Sequence, residues 1–189
     1  MNGTTAAPNG IDREALDATI AAVRAQPELA QVTFTLDADW KSGCHQRATT
    51  GELRQAGAPV ETRTSRYVLE SDEPAALLGT DHAASPAEYI LQALAGCYSV
   101  TFAANATVRG IELSSLRLEL EADFDLQAFL GLDNDARPGA REIRVTVHAE
   151  SPSATRQQLQ ELTEAVQRRS PIRDTLAGPV QVTTILAES

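Results

Sequence analysis

Ser85-Pro-Ala-Glu-Tyr-Ile-Leu-Gln-Ala-Leu-Ala-Gly-Cys97 is the stretch that decides the fold. Ser85 precedes Pro86 and Glu88, an S-x-x-E capping box with proline at the first helical position, so a helix starts here. The helical pattern runs to about Arg109, where Gly110 supplies a left-handed stop. Ile90, Leu91, Leu94, Cys97, Val100 and Phe102, with the intervening alanines, go most of the way round it, which predicts a buried helix forming the spine of the fold. The thiol of Cys97 is then either a small inert core residue, a common fate of free cysteine, or the reactive group of a sheltered redox site. It lies mid-helix, beyond the one-turn reach of the N-terminal dipole, so activation has to come from another segment.

Upstream, residues 1–10 are polar and read as a mobile tail. Residues 11–24 carry Leu16, Ile20 and Val23 at helical spacing behind Asp12 as a possible N-cap, and Pro27 ends that helix. Residues 31–40 alternate and are rich in β formers; beyond Gly43, residues 44–53 read as the hairpin partner and 64–70 as a third strand. Residues 71–84 form a loop before the central helix. Downstream, strands are expected over 113–126 and 142–150, with a loop over 129–139 between them. Ser153 is expected to cap a further helix that Pro171 interrupts, and 180–186 reads as a closing strand. The order is helix, three strands, central helix, two strands, helix and strand, with no repeat and no interdomain linker. Residues 1–29 form an N-terminal extension with a short helix, and 30–189 one domain.

The chain has 189 residues, 42% of them hydrophobic, and a net charge of −10. At that length it can bury roughly 70% of its unfolded surface without a disulfide or metal to hold the core. The acidic balance and scattered basic residues argue against nucleic acid, whose phosphates need clustered Lys and Arg. Two cysteines make no disulfide framework. The start lacks the basic and apolar regions of a signal peptide, and the apolar run at 89–108 is broken by Gln92, Ser99, Thr101 and Asn105, so no membrane span is expected. A cytoplasmic location follows as the expectation. His82 and His148 lack a second ligand at metal-site spacing, so no metal is expected; nor is a cofactor, and no Gly-rich phosphate loop or G-x-S-x-G elbow is present.

The run P-x-E-Y-(I/L)-L-x-A-L-A-G-C ending at Cys97, the R-G-I-x-L at Arg109 to Leu113, the paired strands and Ser170-Pro-Ile172 resemble the OsmC/Ohr family over about residues 40–186. Residues 72–79 and Asp125-Leu-Gln-Ala-Phe-Leu-Gly-Leu132 look like one OsmC-like branch rather than the hydroperoxide reductases. The resemblance implies an OsmC-like α+β fold, with two sheets wrapped around central helices in an intertwined homodimer, here carrying an extra N-terminal helix. It also implies a thiol site in each half of the dimer, built from both chains.

In the family's peroxidases a central-helix cysteine attacks a hydroperoxide and becomes a sulfenic acid. A second cysteine on the late helix resolves it, and a dithiol reduces the pair, while an Arg and a Glu hold the thiolate. Carried over on this resemblance, Cys97 is the attacking cysteine, and Ser170, which cannot form a disulfide, stands in the resolving place. Ser170 also reads as a cap or turn residue before Pro171. Ala87 takes the place of the glutamate. Glu88, nine residues before Cys97 at ~100° each, lies on the opposite face and is accounted for by the capping box. Aligning the family's glycine with Gly43 puts Cys44 at the arginine's place, His45 next and Arg47 three positions on. Cys97, Cys44 and Arg47 are therefore the candidate catalytic residues, with Cys44 as the thiol that traps oxidised Cys97 and Arg47 as a source of positive charge.

The expected function is thiol-dependent reduction of organic hydroperoxides at Cys97, in an apolar pocket at the dimer interface, with a dithiol reductant. The alternative is a non-catalytic OsmC-like dimer that binds a small apolar ligand or a protein partner; Ala87 and Ser170 weigh toward it.

Overall fold

The computed structural model describes residues 7–187; residues 1–6 of the expected extension and 188–189 of the expected domain lie outside the described residues. The chain divides into two compact units, one of residues 12–90 and one of residues 91–189 with the segment up to Ile11.

In the first unit, α1 (Arg13–Ala25) opens as its sequence predicts: the Asp12 carboxylate accepts the backbone N–H groups of Glu14 and Ala15 at 2.8 and 3.1 Å. After a turn at Pro27–Ala30, the stretch expected as one strand divides into β1 (Val32–Thr33) and β2 (Leu36–Ser42). The division lies where Gly51 donates its N–H to the Thr35 carbonyl at 2.7 Å. A Cβ on Gly51 would fall 2.1 Å from Thr35 Oγ1, so a larger residue here would force the Thr35 side chain to move. β2 pairs antiparallel with β3 (His45–Thr50) through a hairpin that turns at Gly43, φ +54°, and carries a bulge between Trp40 and Ser42. Next come β4 (Arg54–Gln55), β5 (Ala58–Pro59) and β6 (Val68–Ser71). They complete two small antiparallel sheets, β1-β4-β5 and β2-β3-β6.

The loop after β6 is organised by one buried carboxylate. Asp72 accepts the Thr80 hydroxyl at 2.5 Å and the backbone N–H groups of Glu73, Thr80 and His82 at 2.9, 3.0 and 3.1 Å. The Thr80 hydroxyl first, then these N–H groups, hold the Asp72 carboxyl well below the ordinary carboxylate range, against the opposing effect of burial. A carboxyl whose folded pKa is depressed contributes stability that is present above its unfolded pKa of about 3.9 and is lost as pH falls. Asp72→Asn is expected to be less stable at neutral pH and to lose less of its remaining stability between about pH 4 and pH 2. Denaturant titrations of both proteins at several pH values check this.

α2 (Pro86–Arg109) runs from the first unit into the second. Its capping box forms as expected: Glu88 accepts the Ser85 N–H at 2.7 Å and Ser85 Oγ accepts the Glu88 N–H at 3.2 Å. Gly110 adopts φ +66° and the Ile111 N–H closes on the Ala106 carbonyl at 2.9 Å. Only one stripe of the helix is buried: Leu94, Tyr98, Phe102, Asn105 and Ala106, with Thr107 beside them. Ala93, Gly96, Val100 and Val108 are exposed, which corrects the expectation of burial on nearly all sides.

In the second unit the buried stripe of α2 forms a core with Ile111, Leu162 and Val166. β7 (Ser115–Asp123) and β8 (Glu142–Glu150) form an antiparallel ladder on either side of the short α3 (Leu126–Phe129). Their period of two places Leu116, Leu118, Leu120, Ile143, Val145 and Val147 against the core. The outer face carries Arg144 paired with Asp123, Glu121 and Glu142, and His148 paired with Glu119. α4 (Arg156–Arg169) and α5 (Pro171–Ala177) follow.

Three further expectations are corrected. Thr155, not Ser153, caps α4, in a reciprocal box with Gln158, while Ser153 Oγ accepts the Glu112 N–H at 3.0 Å. Residues 180–186 form no strand; Val182, Ile185 and Leu186 are exposed. Residues 8–10 form a hydrogen-bonded turn rather than a loose tail, the Gly10 N–H donating to the Ala7 carbonyl at 2.9 Å. The Asn9 amide donates to Thr107 Oγ1 and the Ile111 carbonyl at 3.2 and 2.9 Å, and Asn9 Oδ1 accepts the Leu113 N–H at 2.8 Å. No helix among the described residues is long and apolar enough to cross a membrane.

Candidate functional site

The junction of α4 and α5 places a hydroxyl against the Cys97 sulfur. Ser170 ends α4, its N–H donating to the Val166 carbonyl at 2.9 Å, and starts α5, its Oγ accepting the Arg173 N–H at 3.3 Å. Pro171 forces this break: it lacks an N–H for α4 and holds the preceding residue extended, at φ −77° and ψ 112°. The same Ser170 hydroxyl donates to Cys97 Sγ at 3.1 Å. Ser170 is 2% exposed and Cys97 half-buried, so little water competes for this contact.

Around it, Thr101 donates to the Cys97 carbonyl at 2.7 Å, and Asn105 accepts from Arg169 at 2.5 Å. The phenol of Tyr98 is pushed up chiefly by burial; Arg173 pulls it down through its charge and a hydrogen bond, and the proximity of Cys97 raises it. Arg173 therefore brings a cation to the residue next to Cys97. Only the thiolate form of a cysteine is a nucleophile or metal ligand, and the Ser170 hydroxyl is the donor placed on this sulfur. The cap reading of Ser170 holds, and the sulfur contact accompanies it. Neither contact is visible as a motif: the one signal is that Ser170, Pro171 and Arg173 share a turn.

The other sequence-derived candidates lie in the first unit. Cys44 is exposed, in the turn between β2 and β3. Arg47, on β3, is directly opposite Glu70 of β6, with its Nε 3.7 Å from Glu70 Oε1. Glu88 is engaged in its capping box.

The same sheet assembles a group that sequence spacing misses. His45 and Arg47 point to one face of β3, and Glu70 joins them across the ladder. His82 arrives on the loop held by Asp72. His45 Nε2 is 3.9 Å from Glu70 Oε1, and His82 Nε2 is 3.6 Å from Glu70 Oε2. The two imidazole centroids are 4.7 Å apart. One ligand atom from each of His45, Glu70 and His82 lies within 4.8 Å of the others. His82 has no second ligand at short-motif spacing; its neighbours in space come from strands 12 and 37 residues away in sequence.

A cavity of about 230 Å³ in this unit is lined by Phe34, Leu36, Thr50, Leu53 and Arg63 among others. It does not include Cys97.

Among known proteins, an OsmC-like structure from Mycoplasma pneumoniae superposes with a TM-score of 0.59 at 19% identity, covering 77% of this chain and 88% of that one. An OsmC-like protein of unknown function from Vibrio cholerae gives 0.54 at 11% identity, covering 76% and 92%. An organic hydroperoxide resistance protein from Legionella pneumophila gives 0.52 at 16% identity, covering 77% and 90%. At these identities the likeness is one of fold. No curated protein matches the chain. The family model described as OsmC-like protein matches residues 79–185, more than half of the sequence and the whole stretch from the Asp72-anchored loop's end past the Cys97–Ser170 contact, so the chain belongs to the OsmC-like family.

Proposed function

We propose that the protein reduces organic hydroperoxides at Cys97, using an external dithiol as reductant. The observation that carries this reading is the hydrogen bond of 3.1 Å from the buried Ser170 hydroxyl to Cys97 Sγ. The Cys97 thiolate attacks the terminal oxygen of R–O–O–H. The O–O bond breaks, the alkoxide leaves and takes a proton to become ROH, and the sulfur keeps the hydroxyl as a sulfenic acid. One thiol of the dithiol condenses with it, releasing water. The second thiol then displaces Cys97 as thiolate and closes the reductant's own disulfide. Ser170 donates to the thiolate, and Arg173 supplies positive charge beside Tyr98. The fold shared with the organic hydroperoxide resistance protein of Legionella pneumophila supports a role in oxidative stress.

The working form in this proposal is a homodimer. The exposed apolar residues Phe34, Leu36 and Trp40 around β2, and Val100 on α2, favour a second copy that covers them. The rival reading, a non-catalytic dimer that binds an apolar ligand, draws on a different fact: the sulfur's partner is a neutral hydroxyl and not a charged side chain.

The test is consumption of cumene hydroperoxide in the presence of dihydrolipoamide. Turnover that depends on the dithiol supports the enzyme; an inert protein leaves the binding reading. Ser170→Ala is expected to slow the reaction of Cys97 with hydroperoxide roughly ten- to hundredfold, the range for a lost hydrogen bond to a charged group. If its rate equals wild type, Ser170 is only a cap. In the same assay without reductant, Cys44→Ser separates the ways of resolving the sulfenic acid. A disulfide present in wild type and absent from the variant makes Cys44 the trap, and an unchanged product removes it from the mechanism.

A further inference from the structure

We infer that His45, Glu70 and His82 form a binding site for a divalent first-row transition ion of the zinc type. Two imidazoles and one carboxylate are the donor set of catalytic zinc centres that keep a position open for water, and of facial-triad iron sites. Three observations converge on it. Ligand atoms of all three residues lie within 4.8 Å of one another. The imidazole–carboxylate separations are 3.9 Å, from His45 to Glu70 Oε1, and 3.6 Å, from His82 to Glu70 Oε2; metal–ligand bonds of about 2.1 Å hold donors at most about 4.2 Å apart, so the group has to draw together slightly around an ion.

The second observation is that His45 Nε2 is fully buried and has no hydrogen-bond partner. A buried polar nitrogen left unpaired is rare in folded proteins, and a cation between His45 and Glu70 would give it one. The third is that His82 is held in place. Asp72 fixes its backbone N–H at 3.1 Å, and the preceding Asp81 adopts φ +57°, a left-handed conformation uncommon outside glycine. Gly79, in the same loop, is packed so closely on Glu73 that a Cβ would lie 1.7 Å from its carbonyl oxygen. The loop is thus built to bring residue 82 to the sheet.

Arg47 sets a limit on affinity. Its guanidinium, 3.7 Å from Glu70 Oε1, opposes a cation by charge and competes for the carboxylate. Binding is expected to tighten when Arg47 is removed. The site's open coordination positions suit water or an anionic oxygen ligand. It lies outside the Cys97–Ser170 contact and is independent of the hydroperoxide reading.

The experiment is calorimetric titration of the untagged, metal-free full chain with Zn²⁺, repeated with Co²⁺ to read the ligand field by visible absorption. One ion per chain is expected, with at least tenfold weaker binding in His82→Ala and in Glu70→Gln and tighter binding in Arg47→Ala. His82 is largely exposed, so His82→Ala is expected to keep the wild-type circular dichroism. Cys44→Ser must bind as wild type does. Absence of binding, equal affinity in wild type and His82→Ala, or loss of binding only in a cysteine variant each overturn the site.

Discussion

Cys97→Ser is expected to consume no organic hydroperoxide, with or without a dithiol, while keeping the wild-type fold. The substitution removes the only atom at this position that forms a sulfenic acid. The new hydroxyl is close in size to the thiol and stays within reach of Ser170, whose hydroxyl now donates to Sγ at 3.1 Å. Oxygen at ordinary hydroxyl acidity is not ionised near neutral pH, so the nucleophile is gone rather than weakened. The measurement is the hydroperoxide remaining after incubation with equal concentrations of each protein, alongside circular dichroism. Full turnover by Cys97→Ser would move the chemistry elsewhere, and the exposed Cys44 would be the next residue to replace.

Phe102→Ala is expected to be the most destabilising single truncation in the second unit, by about 3–5 kcal/mol. Phe102 is 0% exposed and sits in the core with Leu94, Tyr98, Ala106, Leu162 and Val166. Removing its ring takes the largest fully buried side chain from the middle of that cluster and leaves a cavity that neighbours on two helices and a sheet cannot close. The readout is the denaturant midpoint followed by helical circular dichroism. The chain's one tryptophan, Trp40, is an exposed residue of β2 in the first unit, so its fluorescence reports that unit instead. A loss confined to the circular dichroism transition would show that the two units unfold separately.

Local signals on one segment were readable in advance. The Ser85–Glu88 box, Gly110, the Asp12 cap and the alternating β8 each depend on residues a few positions apart, and each formed as expected. Most of what failed needed a distant partner. Residues 180–186 alternate like a strand, yet alternation says which face would be buried and not what supplies the ladder, and no strand forms there. The apolar circumference of α2 did not reveal that only the Leu94-Tyr98-Phe102 stripe would be covered. Ser153 and Thr155 are both good caps, and Gln158 decides between them through its reciprocal bond to Thr155.

The candidate site divides in the same way. Cys97 was legible because its own helix carries the motif. Its partner Ser170 is 73 residues away, and its hydroxyl came to notice as a departure from the family pattern before it could be seen as a donor to the sulfur. Arg173 was not found at all, since its contact with Tyr98 depends on how α5 meets α2. The His45–Glu70–His82 group was invisible for the same reason: β3, β6 and a carboxylate-tied loop must fold before the three ligands meet.

The reactivity of Cys97 is tested most directly by treating the reduced protein with one equivalent of cumene hydroperoxide in the presence of dimedone, which captures sulfenic acid, and mapping the adduct by peptide mass spectrometry. The account predicts one dimedone on the peptide containing Cys97, abolished in Cys97→Ser and slowed in Ser170→Ala. An unmodified Cys97 with the hydroperoxide left intact would contradict it.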